Sequence, residues 1–489
     1  MSFGTFNPNF YGITQSFSDP ESLCSYKDYA LEDDVAKWRD TQLDFDVDRL
    51  GALAANDHEL RHFHDFLLSP WGIERMIWRL NASISGFFAI QNIRVMEGDF
   101  VPLPISRWMG WSDAQRETWL RTSGTEVTSL SDLVRLPETD FSKPITQHAS
   151  LSAEDTNKMF PGAQESAARS YLRMKAMRVR QQSGLGFDFA VDDVFEASAH
   201  LAHATAIYHG QGGHEPYMQF MEFVMESDNK PVQALKIAYS VLQDSVPGID
   251  ARRTLEIFTW MLLGPFGKRQ EHPDVRYGII LHLVRSHPEI FGYEIGGATA
   301  DFWDVLDAAL DASPWRENLR AAHERSKSRV DEIESLLLQL SEEFRAFPNS
   351  LLSVARLWER DVSRMVNAVI NNPSQYCDVN NYHRNSIRTF PAPFMLIHYG
   401  KDTIQPPKDF RSWPHDELRP VFADRAKERM LYVVCSPEPR QVLRAVSDTF
   451  GMQRIIDYIF LEETTPRALD KFYFMHIEPL LGKKVLRVF

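Results

Sequence analysis

The chain has 489 residues, 44% apolar and 25% charged, with 53 Lys and Arg against 67 Asp and Glu for a formal charge of −14. That composition is globular rather than disordered, and its acidic excess argues against a nucleic-acid partner, which requires a basic footprint. No run approaches the ~18 uninterrupted apolar residues of a bilayer-crossing helix, and the opening Met-Ser-Phe-Gly-Thr-Phe-Asn-Pro has no secretory pattern, so a cytoplasmic, soluble protein without a membrane partner is expected.

Residues 1–45 mix Phe, Pro, Gly and Ser without a helical period and read as an N-terminal arm packed on the body. From Val47 to Ile93 the pattern is helical. Leu50, Leu53, Leu60 and Leu67 form a core-facing stripe, Pro70 and Gly72 break or bend the run, and a second apolar segment passes through Trp78, Leu80, Phe87 and Phe88. Residues 100–162, punctuated by Pro102, Pro104, Pro137, Pro144 and Pro161, read as a long irregular connection with short helices, a candidate cover for a site. Helical patterning resumes over Gln164–Gln182 with a basic face of Arg173, Lys175, Arg178 and Arg180. It breaks at Ser183-Gly184-Leu185-Gly186 and runs again from Val191 to Tyr208. Further helices are predicted over 232–245, 250–264, 273–287 and 299–312.

A long charged helix is predicted to start with Ser313 as N-cap and Pro314 at its first position. Its stripe of Val330, Ile333, Leu337, Leu340 and Phe344 suits a bundle or coiled-coil partner and leaves room for self-association; Pro348 is expected to end it. Beyond it, Phe394–Tyr399 and Met430–Val434 read as strands, Ser436-Pro437-Glu438 as the start of a helix to Phe450, and Ile455–Leu461 as another strand. The expected fold is mainly α, a multi-helix body with a small C-terminal α/β appendage. Its segments are the arm 1–45, a helical body 46–290, a helical segment 291–374 holding the long charged helix, and an α/β region 375–489.

One pentad carries chemistry: His58-Glu59-Leu60-Arg61-His62, an H-E-x-x-H inside the strongest helical pattern of the N-terminal half. On a helix, positions i and i+4 share a face one turn apart, so both imidazoles reach one ion. Glu59 falls about 100° round the helix, where a carboxylate takes a proton from water held by that ion instead of ligating. A chain of this composition contains roughly 0.04 such pentads by chance. A catalytic zinc needs a third protein ligand, and the candidate is Glu196 in Val194-Phe195-Glu196-Ala197-Ser198-Ala199-His200, where three small residues let two helices approach closely.

With these two helices the chain resembles the gluzincin class of zinc metallopeptidases. The resemblance implies a zincin-like body with one Zn2+ per chain, His58, His62 and Glu196 as metal ligands, Glu59 as general base, and a peptide or protein substrate. Members of the class often place an Asp four residues after the ligand Glu; this chain has His200 there, and 134 residues separate Glu196 from His62. Asp65 is the candidate to support the ligands from behind, because a metal-bound imidazole donates its other N–H. His200 and His203, at i+4 and i+7 from Glu196, are further candidates; each could equally serve as a ligand, a proton shuttle or a transition-state donor, or be a plain hydrogen-bonded helix histidine. His64 is expected to pack rather than ligate.

Other signals are weak. Tyr208, His209 and His214, beside Gly210-Gln211-Gly212-Gly213, include candidates for oxyanion stabilisation, although a flexible turn explains the segment as well. Cys24, Cys377 and Cys435 are too scattered for a disulfide framework or thiolate zinc site. No phosphate-cradling or nucleophile-elbow motif is present in the sequence. Two other classes stay open. Glu59-x-x-His62 is half of a di-iron carboxylate signature, though Glu196 and His200 are one residue too far apart for the other half. A helical interaction protein with an accidental or structural H-E-x-x-H is the third reading.

Overall fold

The computed structural model describes residues 3–7, 12–17, 47–134 except 125, 126 and 128, 190–208, 214–226, 230–338 except 247 and 293–296, 346–379, 382, 389–391, 393–399, 419–424, 429–434, 459 and 477–488. These residues are mainly α-helical, as expected. In chain order they form β1 (Phe3–Asn7), β2 (Gly12–Phe17), α1 (Val47–Leu68), α2 (Pro70–Val95), β3 (Phe100–Leu103), α3 (Ile105–Met109), α4 (Asp113–Thr122) and α5 (Val191–Ile207). Then follow α6 (His214–Glu226), α7 (Lys230–Ser245), α8 (Ala251–Leu262), α9 (Pro273–Ser286), α10 (Thr299–Ala309) and α11 (Trp315–Leu337). The last are α12 (Ala346–Asn371), α13 (Pro373–Tyr376), β4 (Phe394–Tyr399), β5 (Arg419–Asp424), β6 (Arg429–Val434) and β7 (Lys484–Arg487).

Two compact units emerge, each drawn from three stretches of chain, which boundaries read consecutively along the sequence do not express. The first comprises Met1–Glu74, Gln181–Ser328 and Arg356–Leu443; the second comprises Arg75–Arg180, Arg329–Ala355 and Arg444–Phe489. In the first, α5 is the hub, packing against α1, α6, α7, α8 and α9. Its alanines explain this: Ala197, Ala199, Ala202 and Ala204 are all buried, so neighbouring backbones come close without large side chains between them. The N–H of Ala190 donates to Asp193 at 2.7 Å, and acidic residues in the first turn suit the positive end of the helix.

The run from Val47 breaks where expected. Ser69 is the N-cap of α2, its hydroxyl accepting Gly72 N–H at 2.9 Å, and Pro70 occupies the first helical position, where no amide hydrogen is missed. Gly72 is required by close approach: a Cβ there lies 2.2 Å from the Phe66 carbonyl oxygen.

A five-stranded sheet of order β1-β2-β4-β6-β5 also belongs to the first unit. β1 and β2 form an antiparallel hairpin, β2 runs parallel to β4, and the remaining neighbours are antiparallel. The predicted strands β4 and β6 are present, but the sheet is not confined to a C-terminal appendage. The N-terminal residues, expected as an irregular arm, supply two of its strands. Pro420 sits in the outer strand β5 beside a register shift, where a missing donor costs little. In the second unit β3 and β7 pair in parallel, with Val101, Leu103 and Leu486 buried.

Three local expectations are corrected. Ser313 does not cap the long charged helix; its N–H and hydroxyl donate to the Glu271 carboxylate at 2.9 and 3.0 Å. The Pro314 carbonyl instead accepts the first helical N–H groups, from Glu317 and Asn318, at 3.0 Å each. Pro348 does not end that helix, which stops at Leu337; it lies in the first turn of α12, where its absent N–H would have had no helical partner. Ile459, in a predicted strand, is helical. Val330, Ile333 and Leu337 are buried as the stripe predicts. Leu340, Phe344, the basic face at 173–180, the helix from Ser436, Cys24 and Cys435 lie outside the described residues. Among the described residues no helix is long and apolar enough to cross a membrane.

Replacing Gly72 with alanine is expected to destabilise the protein by about 1–3 kcal/mol, because the added methyl overlaps main chain rather than a movable side chain. Denaturant unfolding of Gly72→Ala checks this.

Candidate metal centre

The helical spacing of the pentad is realised on α1, and α5 lies against it. His58 Nε2 and His62 Nε2 are 3.1 Å apart, and Glu196 Oε2 lies 3.4 Å from the first and 3.2 Å from the second. The atoms form a small triangle, a group able to hold a metal ion. Tetrahedral coordination with bonds of about 2.0–2.1 Å separates neighbouring ligand atoms by about 3.3–3.4 Å, close to all three edges. Two imidazole nitrogens and one carboxylate oxygen also suit zinc chemically. The Glu196 side chain is 37% exposed, whereas those of His58 and His62 are 13% and 10% exposed. The triangle therefore meets solvent on its carboxylate side.

The electrostatics separate the two carboxylates. Burial pushes Glu196 up, but His62 and His58 outweigh it and hold its pKa well below the usual carboxylate range. Burial also pushes Glu59 up, and there it wins over His62, His58 and one main-chain hydrogen bond. That bond comes from the N–H of Phe6 in β1, which donates to Glu59 Oε2. For His62, burial is outweighed by Glu196 and Glu59, so its pKa is raised.

The expected supporting residues divide. Asp65 does not hydrogen-bond His62; it accepts Arg61 Nε at 3.1 Å and the Tyr376 hydroxyl at 2.6 Å. The expectation failed because Arg61 lies one turn before Asp65 on the same face and claims its carboxylate. His200 and His203 do lie beside the pentad, with ring centroids 4.7 and 5.9 Å from that of His58. Neither joins the three-atom group. Burial, followed by the neighbouring His58, pushes His200 down to about 3 and His203 well below its ordinary value, so both are neutral. His203 stacks on Phe220 at 4.6 Å. Among the described residues, His58 Nδ1 and His200 Nδ1 are buried without a hydrogen-bond partner.

His64 packs, as expected. It is fully buried, with Nε2 donating to the Pro391 carbonyl and Nδ1 accepting from the Tyr382 hydroxyl, each at 2.9 Å. That pairing requires the neutral ring, and burial pushes its pKa down to about 3. Tyr208 ends α5 against Tyr217, His214 opens α6 instead of lying in a loop, and His209 is outside the described residues.

Sequence reasoning missed Arg61, which organises the site from behind. Its guanidinium has no exposure. Besides Asp65 it donates to Ser198 Oγ at 3.0 Å, the Tyr376 carbonyl at 3.1 Å and Thr259 Oγ1 at 2.6 Å. Its central carbon sits 3.9 Å from the Tyr376 ring centroid. One side chain thus ties α1 to α5, α8 and α13. The available signal was an Arg and an Asp four residues apart within an apolar stripe.

Arg61→Met removes the donors while keeping much of the volume, and leaves Asp65 buried beside a single hydroxyl. A loss of about 3–5 kcal/mol is expected, measured by denaturant unfolding, with Arg61→Met/Asp65→Asn recovering part of it. Comparisons with protein-family models, curated proteins and solved structures find no match.

Proposed function

We propose that the protein is a zinc-dependent hydrolase of the peptidase or amidase type, with His58, His62 and Glu196 as ligands and Glu59 as general base. The carrying observation is the triangle of 3.1, 3.2 and 3.4 Å made by one atom of each ligand. Among the described residues this is a single group, which favours one ion over a di-iron pair. When bound, zinc supplies a Lewis acid for a carbonyl oxygen and brings the pKa of a coordinated water down to about 7.

The remaining steps belong to the chain. Glu59 takes a proton from the attacking water as its oxygen bonds to the carbonyl carbon. It returns that proton to the departing nitrogen as the C–N bond breaks, so one water is consumed and a carboxylic acid and an amine are released. The two carboxylates suit different tasks: Glu196 Oε2 completes the three-atom group with both imidazoles, whereas Glu59 stands outside that group with its carboxylate uncommitted to an ion. Neutral His200 and His203 add no positive charge that would repel a cation.

Elemental analysis of the purified protein should give one zinc per chain. Two irons would place it with the di-iron carboxylate proteins, and no transition metal would return it to the class of helical interaction proteins. Glu59→Gln should keep its zinc and lose about 10²–10⁴-fold in cleavage of a quenched fluorescent peptide library, whereas Glu196→Ala should lose the zinc itself. Chelation of the parent protein should abolish cleavage and lower its melting temperature, both restored by zinc.

A further inference from the structure

Residue 6 and residue 59 meet in the fold. Among the described residues β1 is an outer strand of its sheet, paired on one side with β2, and Phe6 faces Ile13 across that pair. The Phe6 N–H donates to Glu59, so it is not spent on the β1–β2 ladder; it projects from the side of the strand away from β2, toward α1. The Phe6 ring anchors this placement, edge-on to Phe66 at 5.5 Å and Phe63 at 6.1 Å, and 6.5 Å from His62 at an interplanar angle of 16°. Among the described residues this amide is the one hydrogen-bond donor to the Glu59 carboxylate.

We infer that β1 is a positioning element of the site, its Phe6 main-chain N–H holding the Glu59 carboxylate by Oε2 and leaving Oε1 as the proton-accepting oxygen. The inference rests on the proposed hydrolase reading and gives it a residue outside the pentad. A general base must stand within hydrogen-bond reach of the proton it removes. A Glu side chain has three rotatable bonds, and a hydrogen bond to its charged end removes much of that freedom. The donor is main chain, so every L-amino acid except proline supplies it. What the sequence at position 6 contributes is the ring that seats the strand on α1.

The amide is separable from the ring. Phe6→Ala and Phe6→Leu keep the N–H; Phe6→Pro deletes it at an outer-strand position where the ladder loses no bond. Replacing Phe6 by phenyllactate, through ligation of a synthetic N-terminal segment, deletes the N–H and keeps the ring. The proline and ester forms should cleave the quenched peptide library with kcat lowered about 10- to 100-fold. KM, zinc stoichiometry and melting temperature should stay near those of the alanine form. An ester form with the parent's kcat, or an alanine form as impaired as the ester, overturns the inference while leaving the hydrolase standing. A parent that binds no zinc or cleaves nothing overturns both.

Discussion

A guanidinium without exposure to water joins the helix of the pentad to the helix of its distant carboxylate. Arg61 precedes His62, and Ser198 follows Glu196 by two residues, so their 3.0 Å hydrogen bond lies just behind the ligand triangle. A rotation or slide of either helix large enough to separate the ligand atoms also breaks this bond. Burying the charge is offset by Asp65, two hydroxyls, one carbonyl and an aromatic face. The arrangement suits arginine, whose planar fork carries five donors and stacks flat on a ring; lysine's compact ammonium has three donors and no plane to stack. The net gain in stability from such a buried pair is small. Removing one partner alone is costly, because it strands the other charge in the interior.

Around this clamp the site keeps its charges apart. Asp65 is given to Arg61 and the Tyr376 hydroxyl, so the carboxylate in the triangle belongs to Glu196. His64 is neutral and committed to Tyr382 and Pro391; His200 and His203 are neutral through burial. Of five histidines on or beside the pentad, the two that direct nitrogens at Glu196 are the pentad's own. The imidazoles that face the carboxylate are the two that lie one turn apart on α1.

What was readable in the sequence was local. The helices from Val47 to Leu68 and Val191 to Ile207 announce themselves by period, and the break between α1 and α2 by Ser69, Pro70 and Gly72, because each signal acts within a few residues. The i,i+4 histidines are local in the same sense. Failures fall where two readings of one residue compete. A proline such as Pro348 fits the end of one helix or the first turn of the next, and β1 and β2 are too short and mixed to display alternation.

The sequence by itself determined a mainly helical protein, a pentad whose imidazoles share a face, and a distant glutamate on a helix of small residues. Tertiary structure decided that this glutamate closes the triangle, that Asp65 does not support His62, and that an N-terminal strand touches Glu59. The physical reason is separation along the chain: Arg61 meets Tyr376 and Glu59 meets Phe6 across 315 and 53 residues. No period or cap records such pairings. They exist only once burial forces each charged or polar group to find its partner.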